Sequence, residues 1–202
     1  MSPQIYLASN SPRRRELLEQ VGIRYIQIQS EIDEMALKNE SPSTLVQRLA
    51  RLKAIAGLNR MNASAAALPV LGADTVVVLK GKVFGKPEDE QAALTMLGEL
   101  SGQTHDVLTA VAVATALKVE IILSTTQVTF KEISMEMARA YWQTGEPQDK
   151  AGAYAVQGRA ALFVERLEGS YSGVVGLPLM ETAELLMGFG VEVVPGPIER
   201  NR

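Results

Sequence analysis

The chain has 202 residues, 47% of them apolar, which is enough for a packed core without covalent staples and excludes wholesale disorder. It has no cysteine, so disulfides, thiolate metal sites and a thiol nucleophile are excluded. The formal net charge of −3 argues against a nucleic acid polymer as partner, and no run approaches the roughly 18 apolar residues of a membrane span. The N-terminal segment lacks the charged and apolar regions of a signal peptide, and no linker or repeat divides the chain. A cytoplasmic protein with one domain over residues 1–202 is expected.

Gln4 to Ala8 reads as a short strand that breaks at Ser9 to Pro12. Ser11 suits an N-cap and Pro12 a first helical turn, and Leu17, Leu18 and Val21 then recur at helical spacing until Gly22. Tyr25 to Ile28 alternates as a second strand, and Ser30 to Glu40 is an acidic connection. Ser43 to Leu58 has a helical apolar face, and Asn59 to Leu68 extends that helix or frays. Val70 to Leu79 is an almost continuous apolar strand, as buried strands are, with a turn at Lys80-Gly81 and Val83-Phe84 pairing back.

A helix is expected from Pro87 to Leu100, then a hairpin from Val107 to Thr115 and Val119 to Phe130. Ser134 opens a short helix to Gln143, and Gly145 to Gly158 is a polar loop. Leu162 to Leu167 reads as a strand, Met180 to Met187 as a helix and Val191 to Val194 as a last strand. The fold class is α/β, a mixed sheet with flanking helices, because an antiparallel hairpin interrupts the strand–helix alternation.

Five segments carry chemistry. In Ser9 to Arg14 a strand ends, a tight polar loop follows and a helix opens with arginines. Free N–H groups at a helix start, with Ser9, Ser11, Arg13 and Arg14, form an anion site; an ordinary capped helix with solvated arginines shares the pattern. Asp74 lies inside the apolar strand, where a carboxylate is costly without a cation, metal or donor partner, so it is a candidate general base or metal ligand. Glu31, Asp33 and Glu34 offer hard oxygens to Mg²⁺ or Mn²⁺, although a solvated acidic turn reads the same way.

Lys53, Lys86 and Lys150 could neutralise phosphate only if they converge in space. In the loop ending at Gly158, Gln157 offers a donor and an acceptor to a base edge, and Tyr154 offers a ring to stack on it. His105 is the sole histidine, which excludes a histidine-pair metal site and a serine–histidine triad and points to a structural role.

The stretches LASNSPRRRELLEQVGI, RLARLKA, LGADTVV, GKP, LSGQTHDVLTAVAV, GEPQDKAGAYAVQG and SYSGVVGLPL follow one another in the order seen in the Maf family of nucleoside triphosphate pyrophosphatases, which this chain resembles over roughly residues 5 to 180. The resemblance implies a fold like the inosine-triphosphate pyrophosphatases, with two lobes around a central cleft. It implies hydrolysis of a nucleoside triphosphate to monophosphate and pyrophosphate with Mg²⁺ or Mn²⁺, in an enzyme that is a homodimer in family fashion. By position it makes Asp74 the catalytic base and metal ligand, with Glu34 beside the metal. Ser9, Arg13, Arg14, Lys53 and Lys86 would bind phosphate.

Arg13, Thr75 and Gln157 match the positions that separate the branches, and Arg, Thr and Gln there mark the branch acting on dTTP and UTP. The alternatives are the sister branch acting on 7-methyl-GTP and a non-catalytic nucleotide-binding regulator. Asn10, Ala155 and Ser172-Gly173 depart from residues frequent in the family, and none of these removes a catalytic group.

Overall fold

A computed structural model describes residues 2–61 and 68–193. The strands are β1 (Ile5–Ala8), β2 (Tyr25–Ile28), β3 (Val70–Leu79), β4 (Lys82–Phe84), β5 (Thr104–Ala114), β6 (Val119–Phe130) and β7 (Val164–Glu168). The helices are α1 (Pro12–Gln20), α2 (Pro42–Asn59), α3 (Glu90–Leu100), α4 (Met135–Trp142), α5 (Tyr171–Val175) and α6 (Leu179–Met187). Together they form the expected mixed α/β architecture, a seven-stranded sheet in the order β2-β1-β3-β5-β6-β7 with β4 on β3. β1 runs parallel to β2 and β3, and the remaining pairs are antiparallel.

β3 explains how the sheet opens. On one flank it pairs with β5 along nearly its whole length, from Val70 to Val78. On the other flank β1 takes Tyr6↔Val70 to Ala8↔Gly72, and β4 takes Val77↔Phe84 to Leu79↔Lys82. Residues 73–76 therefore have no strand neighbour on that side. The chain leaving β1 (Ser9 onward) and the chain leaving β4 (Gly85, Lys86) approach this gap from opposite ends.

Each face of the sheet has its own core. One cluster sets Val46, Ala50 and Ala54 of α2 against Val76, Val78, Leu108, Ala110 and Ala112. Small residues let α2 lie close: a Cβ on Gly72 would come within 2.4 Å of Ala54 N and 2.6 Å of Ala50 O. The larger cluster, on the other face, includes Leu17, Leu18, Leu71, Val77, Leu97, Phe130, Tyr154 and Leu186.

Some boundaries differ from the sequence reading. α2 begins at Pro42 with Ser41 as its cap, since the Ser41 hydroxyl accepts from Thr44 N at 3.2 Å. α3 begins at Glu90, where Asp89 accepts from Ala92 N at 2.8 Å, and not at Pro87. Residues 146–162 contain three short 3-10 turns, and α5 is an element the sequence reading did not anticipate. Val191 to Val193 do not form the expected strand: Val191 is buried, and Glu192 O accepts a side-chain bond from Gln4 at 2.7 Å. Val194, the tail after it and the Ala-rich residues 62–67 lie outside the described residues.

Candidate active site

A cavity of about 570 Å³ lies at the gap in the sheet, lined by Ser9, Arg13, Arg14, Glu34, Lys53, Asp74, Thr75, Lys86 and Gln157 among others. These candidate residues thus share one space. Side chains alternate along β3, so Asp74 turns toward α2 while Thr75 turns toward α1 and α5. Because no strand covers residues 73–76 on one flank, a single cavity reaches both faces.

Asp74 is 8% exposed, and its Oδ1 accepts from Lys53 Nζ at 2.7 Å. The same ammonium lies 2.7 Å from Glu34 Oε1. The close seat of α2 on Gly72 brings Lys53, adjacent in sequence to Ala54, over Asp74. Asp74 Oδ2 takes no hydrogen bond among the described residues. Burial pushes the Glu34 carboxyl up, but the hydrogen bond and charge of Lys53, with Lys86 and Arg14 behind, hold it below the ordinary carboxylate range.

Arg14, 8% exposed, is held by three neutral oxygens. Its Nε donates to Gly176 O at 2.8 Å, Nη1 to Ser9 Oγ at 3.0 Å and Nη2 to Thr75 Oγ1 at 3.3 Å. Thr109 Oγ1 donates to Gly173 O at 2.8 Å, so its 3.0 Å bond to Thr75 must use the Thr75 proton. Thr75 therefore accepts from Arg14 and has no proton left for a ligand. Ser9 Oγ accepts from both Arg14 and Ser11 N (3.2 Å), which leaves its own proton free to donate.

Ser11 occupies the N-cap position of α1 but forms no capping hydrogen bond with its side chain, so its hydroxyl and the first-turn N–H groups stay available at the cavity wall. Burial lowers the basicity of Arg13, which Asp149, Glu16, Tyr141 and Glu146 partly restore. Neither Arg13 nor Lys86 forms an ion pair among the described residues.

Five cationic side chains (Arg13, Arg14, Lys53, Lys86, Lys150) and three carboxylates (Glu34, Asp74, Asp149) line the cavity, so an acidic chain carries a local cationic excess. Of the acidic trio only Glu34 reaches it: Glu31 approaches Arg60 at 3.6 Å, and Asp33 accepts from Met35 N at 2.9 Å. Lys150 pairs with Asp149. Tyr154 corrects the stacking expectation: it is 5% exposed, its hydroxyl bonds His105 Nε2 at 2.8 Å, and its ring meets Phe130 edge-on at 4.8 Å. His105 is structural, as anticipated.

Among the described residues no three Asp, Glu, His or Cys side chains cluster as a metal cage. Glu34 and Asp74 nevertheless converge on one cation position, now held by the Lys53 ammonium. Two carboxylates, with phosphate and water completing the shell, fit Mg²⁺ or Mn²⁺, which keep several non-protein ligands.

The family model of Maf-like protein matches residues 4–189. The chain belongs to the Maf family. It is 53% identical over 192 residues to the dTTP/UTP pyrophosphatase of Saccharophagus degradans, covering 95% of this chain and 91% of that one. It is 52% identical to the dTTP/UTP pyrophosphatase of Alkalilimnicola ehrlichii, covering 94% and 95%, and 50% identical to that of Methylobacillus flagellatus, covering 96% of each. A weaker structural likeness to the Staphylococcus aureus Ham1 protein has a TM-score of 0.44 and 15% identity over 62% of this chain and 71% of that one. No helix among the described residues of this Maf chain is long and apolar enough to cross a membrane.

Sequence reading missed Thr109 and Gly176. Thr109 has no motif of its own and is found through its register with Thr75, while Gly176 contributes a backbone carbonyl from a position whose φ of 129° favours glycine.

Proposed function

We propose that this chain is a nucleoside triphosphate pyrophosphatase that converts dTTP and UTP to the monophosphate and pyrophosphate. The observation that carries the reading is the meeting of Asp74, inside its apolar strand, with Lys53, Lys86, Arg13 and Arg14 around one cavity. Its relatives' names and the Arg13, Thr75 and Gln157 set support the pyrimidine preference.

Arg13, Arg14, Lys86 and the Ser9 hydroxyl bind the triphosphate, with the β- and γ-phosphates as leaving group. Asp74 Oδ2 accepts a proton from the water whose oxygen bonds to the α-phosphorus as the bond from that phosphorus to the bridging oxygen breaks. Cationic side chains stabilise the charge that grows on the departing pyrophosphate, the larger part of phosphoryl-transfer catalysis. Glu34 and Asp74 would hold Mg²⁺ or Mn²⁺, which neutralises phosphate charge and acidifies water when bound. Gln157 reads the pyrimidine edge by paired donor and acceptor bonds. The enzyme acts in the cytoplasm on free nucleotides, not on nucleic acid, and assembles as a homodimer.

The deciding experiment is a metal-supplemented panel of dTTP, UTP, CTP, GTP and 7-methyl-GTP with pyrophosphate detection. The expected result is release of pyrophosphate with the highest kcat/KM for dTTP and UTP. Release of inorganic phosphate, or preference for a purine, overturns the reading.

A further inference from the structure

The segment that carries Gln157 is tied down at both ends by one pair of side chains outside the cavity lining. Tyr141, on α4 and 4% exposed, donates its hydroxyl to Glu146 Oε1 at 2.5 Å and accepts from Ala155 N at 3.1 Å. Glu146 Oε2 accepts from Arg159 N at 3.0 Å, and Oε1 lies 3.5 Å from Ala160 N. Burial first, and the Glu146 bond second, keep the Tyr141 phenol protonated, which fixes it as the donor in that bond.

The carboxylate lies against the backbone at Gly158, where an added Cβ would fall 2.3 Å from Glu146 Oε2 and 2.4 Å from Oε1. Gln157 sits between these anchors, exposed, and its side chain bonds none of the described residues. The charge of Glu146 also acts on Arg13 across the cavity wall.

We propose that Tyr141 and Glu146 are positioning residues for base selection, holding residues 155–159 so that Gln157 meets the base, without touching the nucleotide themselves. This rests on the pyrophosphatase reading. The bonds are made in the free protein, so the reader is pre-organised and its ordering cost is met on folding. Removing the pair returns that cost to the binding step and loosens the geometry that separates uracil from cytosine.

The test compares Tyr141→Phe, Glu146→Gln and Gly158→Ala with wild type. The last variant attacks the same contact from its backbone side. Kinetics with UTP and CTP are paired with hydrogen exchange at the Ala155 and Arg159 amides. Each variant should lower the UTP-to-CTP ratio of kcat/KM about tenfold, mainly through KM for UTP, because the lost bonds are of that order. Ala155 exchange should rise about tenfold in Tyr141→Phe, with β5 amides unchanged.

A ratio held at the wild-type value in Tyr141→Phe and Glu146→Gln overturns the proposal. So does a uniform fall for all nucleotides, which marks a structural role only. Should the wild type prefer a purine, the pyrimidine reading fails separately, and the ratio between its best and next-best nucleotide judges the positioning role in the same way.

Discussion

Gly72→Ala tests whether the seat of α2 on β3 builds the site. The new methyl carbon would sit 2.4 Å from Ala54 N and 2.6 Å from Ala50 O, where ordinary contact begins at 3.4 Å, so the helix must retreat by about 1 Å. Both clashing atoms are backbone, and no rotamer change can absorb them. Overpacking costs about 1–3 kcal/mol, and this case belongs at the upper end. Lys53 moves with Ala54, so its 2.7 Å bond to Asp74 must lengthen or be re-aimed by new side-chain torsions.

A displacement of that size at a catalytic group costs about 10²-fold in rate. Urea unfolding reads the stability, and pyrophosphate release at saturating UTP reads the turnover. Gly98→Ala on α3 is the control. No atom lies within 4 Å of its added methyl carbon, and the helix gains about 1 kcal/mol of propensity. Wild-type stability and turnover in Gly72→Ala would refute the claim that this contact positions Lys53.

Asp74→Asn should lower kcat about 10²–10⁴-fold while nucleotide still binds, measured by single-turnover pyrophosphate release and equilibrium titration. Near-normal turnover would remove Asp74 from the role of base. Burial holds the His105 imidazole down at about 4 from an ordinary 6.5, so between those values the unfolded chain binds a proton that the folded chain refuses. Stability from this group is complete above pH 6.5 and declines as pH falls toward 4, by about 3 kcal/mol across the window. Urea midpoints at several pH values should show that slope, and His105→Gln should flatten it. Lys80 (φ 50) and Gly81 (φ 82) close a two-residue hairpin in which both φ angles are positive. Asparagine tolerates that region better than lysine, so Lys80→Asn should add about 0.5–1 kcal/mol, visible as a rise of a few degrees in Tm. A fall in Tm would count against the turn argument.

Local pattern carried the reading furthest where one residue had one physical reason to be present. An apolar run interrupted by Gly72, Asp74 and Thr75 announced both the buried strand and the carboxylate that needs a partner. The loop from Ser9 to Pro12 announced where the chain turns from strand into helix. Where function depended on pairing between distant segments, the pattern gave no sign. The gap opposite residues 73–76 exists because two strands share one flank of β3, and nothing in either strand's periodicity says so. Val191 is buried without a ladder partner, so its apolar neighbours imitated a strand. Apart from the Tyr141 hydroxyl, Glu146 accepts from backbone N–H groups, and those donors look alike at every position.

The treatment of Arg14 shows how the site keeps its charge usable. A buried guanidinium loses hydration, and burial pulls its basicity down accordingly. Most proteins recover that loss with a carboxylate at ion-pair distance, which would orient the group and cancel its field together. Here the orienting acceptors are Gly176 O, Ser9 Oγ and Thr75 Oγ1, all neutral, while the Asp74 carboxylate acts on Arg14 only through space. Orientation is thus separated from neutralisation: the fork is fixed but its charge remains unpaired. The relay from Thr75 through Thr109 to Gly173 O supports this arrangement by consuming every hydroxyl proton on the way, so Thr75 can only accept from the guanidinium. An incoming triphosphate is then the first full anion that can approach Arg14 closely, and it meets donors whose geometry was set during folding.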